Sequence, residues 1–101
     1  MTPQPLNSTT ILGTWNYEGT RYDGVHRSGT ITFNADGTIS YNNVDADGQD
    51  TESGGGAWNY SGSTLSILFS GMSSWEGTPV GDSEGFFLQT TYHGSYNFYR
   101  P

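Results

Sequence analysis

The stretch GTITFNADGTISYN, residues 29–42, constrains the fold of this chain more than any other. Ile31 and Phe33 alternate with Thr30 and Thr32, and Ile39 and Tyr41 alternate with Ser40 and Asn42. Alternation with period two marks strands that bury one face. Between them stands Asn34-Ala35-Asp36-Gly37. Asparagine suits the first turn position, and glycine tolerates the left-handed backbone that closes a three-residue loop. With Ala35-Asp36-Gly37 as the loop, Phe33 falls opposite Ile39 and Ile31 opposite Tyr41. Turn chemistry and apolar phase agree, which fixes the register.

The same pattern recurs along the chain. A first strand lies within residues 11–22, with Ile11, Gly13, Trp15 and Tyr17 in phase. A second runs from about His26 to Phe33 and a third from Thr38 to Asn43, followed by an acidic loop, NVDADGQDTES. In GGGAWNYSGSTLSILFSG, a Gly62-Ser63 loop suits a type II′ turn and pairs Tyr60 with Leu65 and Trp58 with Ile67. A sixth, irregular strand spans about 73–80. The last hairpin sets Phe86, Leu88 and Tyr92 on one arm and Tyr96 and Phe98 on the other. His93-Gly94 reads as a two-residue turn there, whereas the apolar phase fits a three-residue loop that includes Ser95. Residues 1–10, with Pro3 and Pro5, read as a loose N-terminal segment, and 11–101 as one domain. Helical periodicity is absent. Eight antiparallel strands in an up-and-down meander, apolar on one face, are best served by closing into a barrel, which buries that face and removes both edges. The alternative is a sandwich of two sheets.

Composition narrows the class. Aromatic residues make up 15% of the chain and charged residues 13%, which favours a folded β domain over disorder. The net charge is −7, and Arg21, Arg27 and Arg100 are the only permanent cations. A nucleic-acid partner requires a basic face, and an anionic membrane attracts basic clusters; this chain offers neither. With no cysteine, disulfides and zinc-thiolate sites are excluded, and a reducing compartment is suited. The start MTPQPLNSTT has no basic region followed by an apolar run, so it does not read as a signal peptide. These points favour a cytoplasmic setting. No window reaches membrane-spanning length.

Gly13-Thr14-Trp15 resembles the glycine-x-tryptophan signature that opens the first strand of lipocalins, and Arg100 stands where that family carries an arginine that packs over this tryptophan. A second stretch, WEGTPVG from Trp75 to Gly81, is similar to a tryptophan-x-glycine-x-x-valine-glycine segment of avidins. Both groups are calycins, built on an eight-stranded meander barrel. The resemblance therefore implies a lipocalin/avidin-like barrel over residues 11–100 with Arg100 stacked on Trp15. It does not carry over the biotin site of avidins. Asn16 is adjacent to Trp15 instead of two residues beyond it, and the later avidin tryptophan maps to about Thr91. The chain also lacks the helix that follows the barrel in typical lipocalins.

If Trp15 and Arg100 mark a closed end, strand direction sends residues 22–26, 44–53, 70–73 and 93–95 to the other. Those loops are mostly longer, as binding loops tend to be. The inward phase toward that open end carries Tyr17, Arg21, Arg27, Tyr41, Trp58, Trp75, Thr90 and Tyr92, the candidate ligand-binding residues. Inward glycines at 19, 29, 54, 56 and 77 leave space among them, or else mark bends with the aromatics as plain core. An apolar cup with a few polar groups is the usual form of a small-molecule site. Arg21 and Arg27 at its mouth suit a ligand carboxylate; pairing with Glu18, Asp23 or the acidic loop is the plainer use.

Residues 43–54 resemble the front of an EF-hand loop through Asn43, Asp45 and Asp47, but the twelfth place is Gly54 and no helix flanks it. A solvated acidic loop is the simpler reading, and no cofactor is implied. Neither a catalytic serine motif nor a metal-spaced histidine pair is present. Three functions remain: a carrier of a small apolar or anionic ligand, an interaction or structural barrel with a filled interior, and a motif-free enzyme of cyclase or isomerase type using the same cup. On the outward phase, Leu12, Phe87 and Tyr99 come from three adjacent strands and offer a face for a homodimer.

Overall fold

The computed structural model describes residues 4–21, 24–45, 51–69, 74–91 and 94–101. These form nine strands: β1 Gly13–Thr20, β2 His26–Phe33, β3 Thr38–Asp45, β4 Thr51–Ser61, β5 Thr64–Phe69, β6 Ser74–Gly77, β7 Val80–Gly81, β8 Gly85–Gln89 and β9 Ser95–Tyr99. All pairings are antiparallel. The strands make one sheet in the order β6-β5-β4-β3-β2-β1-β9-β8-β7, curled into a half-barrel. No helix occurs among the described residues.

The two end strands, β6 and β7, are consecutive in sequence and together occupy the segment expected as one irregular sixth strand. Thr78 and Pro79 separate them. Proline has no N–H to give to a ladder, so the strand changes partner there. Before the break it pairs with β5, and after it with β8. Across the gap, Thr91 donates both its backbone N and its Oγ1 to the Glu76 carbonyl, at 3.0 and 3.2 Å, and these bonds draw the two ends of the sheet together.

The hairpin registers follow the side-chain phase. Phe33 lies opposite Ile39 and Ile31 opposite Tyr41; Tyr60 pairs with Leu65 and Trp58 with Ile67. In the first loop, Asn34 N donates to Thr38 O at 2.9 Å and Gly37 takes φ of 89°. In the second, Gly62 has φ of 62° and Ser63 does not share the positive sign, as a type II′ turn requires.

Three boundaries differ from the sequence reading. Strands β3 and β4 continue to Asp45 and from Thr51, with Val44 opposite Thr51, so the acidic loop is shorter than expected. Polar residues paired on both faces give no alternation signal, although their backbones bond as well as any. The last hairpin pairs Leu88 with Tyr96 and Gln89 with Ser95, so neither short loop is correct. Thr90 donates from its N and its Oγ1 to the Gly94 carbonyl, at 2.9 and 2.6 Å, and this closes the turn two residues earlier in the chain than the expected three-residue loop. The shift is an even number of residues, so the inward phase is preserved. Finally, residues 4–10 are tied down. Pro5 bridges Asp82, Gln4 exchanges bonds with Ser83, and Asn7 Oδ1 accepts from Thr9 N and Thr10 N.

Inward side chains build an aromatic interior. Trp15, Tyr17, Ile31, Leu65, Ile67, Leu88 and Tyr96 are almost fully buried. Four of the inward glycines mark close approach of backbone, not ligand space. A β-carbon on Gly19, Gly29, Gly56 or Gly77 would lie 1.9–2.2 Å from a carbonyl oxygen of a neighbouring segment. These positions let the sheet bend sharply inward.

Candidate functional site

Among the described residues, the buried polar and charged side chains are Arg27, Asn43 and Thr90. All three lie at the end of the sheet away from Arg100. Arg27 is near the start of β2, Asn43 near the end of β3, and Thr90 just past β8.

The register explains how two of them meet the aromatic interior. Tyr17 sits opposite Gly29, and Gly29 sits opposite Asn43. The missing side chain at Gly29 lets the Tyr17 hydroxyl cross β2 and donate to Asn43 Oδ1 at 2.5 Å. A β-carbon at Gly29 would stand 2.9 Å from that hydroxyl. Arg27 follows on the same face as Gly29, with 8% of its surface exposed.

Under this polar layer lie five rings. Trp75 and Tyr96 stack with centroids 3.9 Å apart and planes 10° from parallel. Tyr17 and Phe69 meet Trp75 edge-on at 5.4 and 4.7 Å, and Tyr41 meets Phe69 at 4.9 Å. Tyr96 shares the inward phase by its sequence position and is not among the candidate ligand residues. Its role as the partner of Trp75 depends on a contact between strands that are not neighbours in the sheet, which strand periodicity does not encode.

The candidates thus divide. Tyr17, Arg27, Tyr41, Trp75 and Thr90 share this end or the ring cluster beneath it. Arg21 joins them through its backbone: a β-carbon on Gly94 would lie 2.7 Å from the Arg21 Cα. Tyr92 lies outside the described residues. Trp58 belongs to the opposite end. Its Nε1 donates to Asn34 O at 2.9 Å, its N donates to Gly37 O at 3.0 Å, and its ring meets Phe33 edge-on at 5.4 Å. The strand offset between β3 and β4 carries it there: Ile39 faces Gly56 and Thr38 faces Ala57, which places Trp58 beyond the start of β3.

Of the weak cation candidate, Asn43 alone has a described side chain. Asn43 turns inward to Tyr17; the Asp45 side chain and Asp47 lie outside the described residues. No group of three metal-ligating side chains occurs among those described.

At the closed end, the Arg100 guanidinium lies over the Trp15 ring, 3.8 Å from its centroid. It also donates to Thr10 O, Ser83 O, Leu12 O and Thr14 O at 2.7, 3.0, 3.2 and 3.4 Å. Burial pushes its pKa down and Glu84 opposes that shift; the group stays cationic. On the outer surface, Phe87 and Tyr99 are exposed and Val80, opposite Phe87, extends their patch. Leu12 is not part of that patch. It precedes β1 in a turn and lines a groove with Trp58 and Tyr60.

No protein-family model matches the chain, and no curated protein sequence matches it. Among solved structures, it is similar to a de novo designed fluorescence-activating β-barrel, with a TM-score of 0.70 and 20% sequence identity over 93% of this chain and 96% of the designed one. That likeness is one of fold.

Proposed function

We propose that this protein binds a small, mostly apolar molecule with an anionic end at the barrel end opposite Trp15 and Arg100. One observation carries the reading. The buried polar side chains among the described residues converge at a single end, above a floor of aromatic rings. Apolar walls with a few placed polar groups are what a ligand site needs. The Arg27 guanidinium supplies a rigid fork suited to a carboxylate. Tyr17 and Asn43 hold each other in place, and Tyr41 and Trp75 supply apolar surface below. The seat is shallow, because the stacked Trp75 and Tyr96 rings fill the space beneath it.

The test pairs native mass spectrometry of protein purified from its host with titration by dodecanoate and its methyl ester. A retained small molecule, or binding of dodecanoate that Arg27→Gln weakens about tenfold, upholds the reading. The absence of both retention and dodecanoate binding refutes it.

The same stack favours a second reading, a filled barrel that acts through its surface. That reading requires the protein to emerge from its host empty and to bind neither probe.

A further inference from the structure

We infer a second binding site, for a neutral sugar, in the groove at the closed end of the barrel. The groove encloses about 370 Å³ and its lining includes Ser8, Thr9, Leu12, Trp58, Asn59 and Tyr60, a size within the range of small-ligand sites. None of its lining residues is charged. Asp36 is nearby in sequence, but its Oδ1 already accepts from Thr38 N and Thr38 Oγ1 at 3.0 and 2.6 Å. An ionic ligand therefore finds no counter-charge in the lining.

What the groove does offer is two aromatic rings and a set of neutral hydrogen-bonding groups. Trp58 and Tyr60 are only partly buried, although both pack against the core. The Trp58 ring is fixed by its Nε1 bond to Asn34 O and its edge contact with Phe33, so it is preorganised as a platform. Among the described residues, the hydroxyls of Ser8, Thr9 and Tyr60 have no hydrogen-bond partner. The backbone that presents Ser8 and Thr9 is itself held, because Asn7 Oδ1 accepts from Thr9 N and Thr10 N at 2.8 and 2.9 Å.

An aromatic face is electron-rich and attracts the polarised C–H face of a pyranose ring. Hydroxyl groups around that platform match the donors and acceptors at the ring's edge. A purely apolar ligand would leave those groups facing it unpaired, and an anion would meet a negatively charged protein without a cation in the lining. A neutral sugar satisfies both kinds of surface at once.

The experiment is amide and indole NMR of the labelled full chain, titrated separately with maltotriose, cellotriose and triacetylchitotriose. The expected result is that at least one of the three shifts the Trp58 indole and the Thr9 and Asn59 amides, with half-saturation below about 10 mM. Ser8→Ala combined with Thr9→Ala should weaken that binding about fivefold or more with the spectrum otherwise unchanged. The inference is overturned if no trisaccharide moves these resonances, if the shifts centre on Tyr17 and Asn43 at the other end, or if the double variant binds as well as the wild type. Tyr60→Phe guards against a folding defect, since it removes one hydroxyl and keeps the ring.

Discussion

The guanidinium carbon of Arg100 lies 3.8 Å from the centroid of the Trp15 ring, joining the end of the chain to its first strand. The same guanidinium bonds the carbonyls of Thr10, Leu12, Thr14 and Ser83, so one side chain fastens the N-terminal segment, β1 and the turn before β8. Arg100→Ala should destabilise the fold by about 2–3 kcal/mol, from the lost cation–π contact and several charge-assisted hydrogen bonds. In a domain of this size that lowers the melting temperature by roughly 10 °C or more. Arg100→Lys should recover only part of it, because an ammonium cannot reproduce the fork. Thermal unfolding followed by circular dichroism decides the matter; an unchanged midpoint for Arg100→Ala contradicts the latch.

Gly29 and Gly54 make a matched pair. A β-carbon on Gly29 would stand 1.9 Å from Asn42 O and 2.9 Å from the Tyr17 hydroxyl, whereas on Gly54 its nearest neighbour would be the Tyr41 hydroxyl at 3.5 Å. Gly29→Ala should therefore cost about 2 kcal/mol or more through forced backbone movement, and Gly54→Ala should be tolerated. Denaturant midpoints that fall equally for both variants would show that close approach at Gly29 is not the cause.

Tyr17 donates to Asn43 inside the barrel, and both residues are nearly fully buried. Tyr17→Phe leaves the Asn43 oxygen without that donor at a cost of about 1–3 kcal/mol. In a double-mutant cycle with Asn43→Leu, the two losses should be strongly non-additive. Additive losses would mean that the bond contributes nothing.

The loop between β2 and β3 carries a pH signature. Bonds from the Thr38 hydroxyl, and then from the Thr38 backbone N–H, hold the Asp36 carboxyl below the usual aspartate range. Because the folded value is depressed, the bonds contribute fully above the unfolded pKa, and their contribution is lost as the pH falls through the folded value. Thr38→Val should move the Asp36 titration upward toward its ordinary value. Carbon-detected NMR titration of the carboxyl measures this directly, and an unmoved midpoint would assign the shift to another cause.

Much of the architecture was legible in the sequence because it depends on local rules. Alternation in residues 29–42 and the Asn-Ala-Asp-Gly loop set the register of β2 on β3, since a slip of one residue would expose Ile31 and Phe33. Gly62 at the first central position of its loop did the same for β4 and β5. Trp15 and Arg100 were readable as a pair only through a family likeness, as nothing local links the two ends of a chain.

What tertiary structure alone decided concerns offsets between strands. The alternation along β4 places Trp58 on the inward face but does not say at which height. The pairing of Ile39 with Gly56 sends it to the closed end, beside Asn34 and away from Arg27. The inward glycines likewise carried two meanings in the sequence, empty space or sharp bending. Bending prevails at Gly19, Gly29, Gly56 and Gly77, where a neighbouring carbonyl occupies the place of a side chain. Periodicity reports which face a residue takes, because that is fixed by the two-residue pleat of its own strand. Height and proximity around a curled sheet depend on how every strand is offset from the next, and that is a property of the assembled barrel.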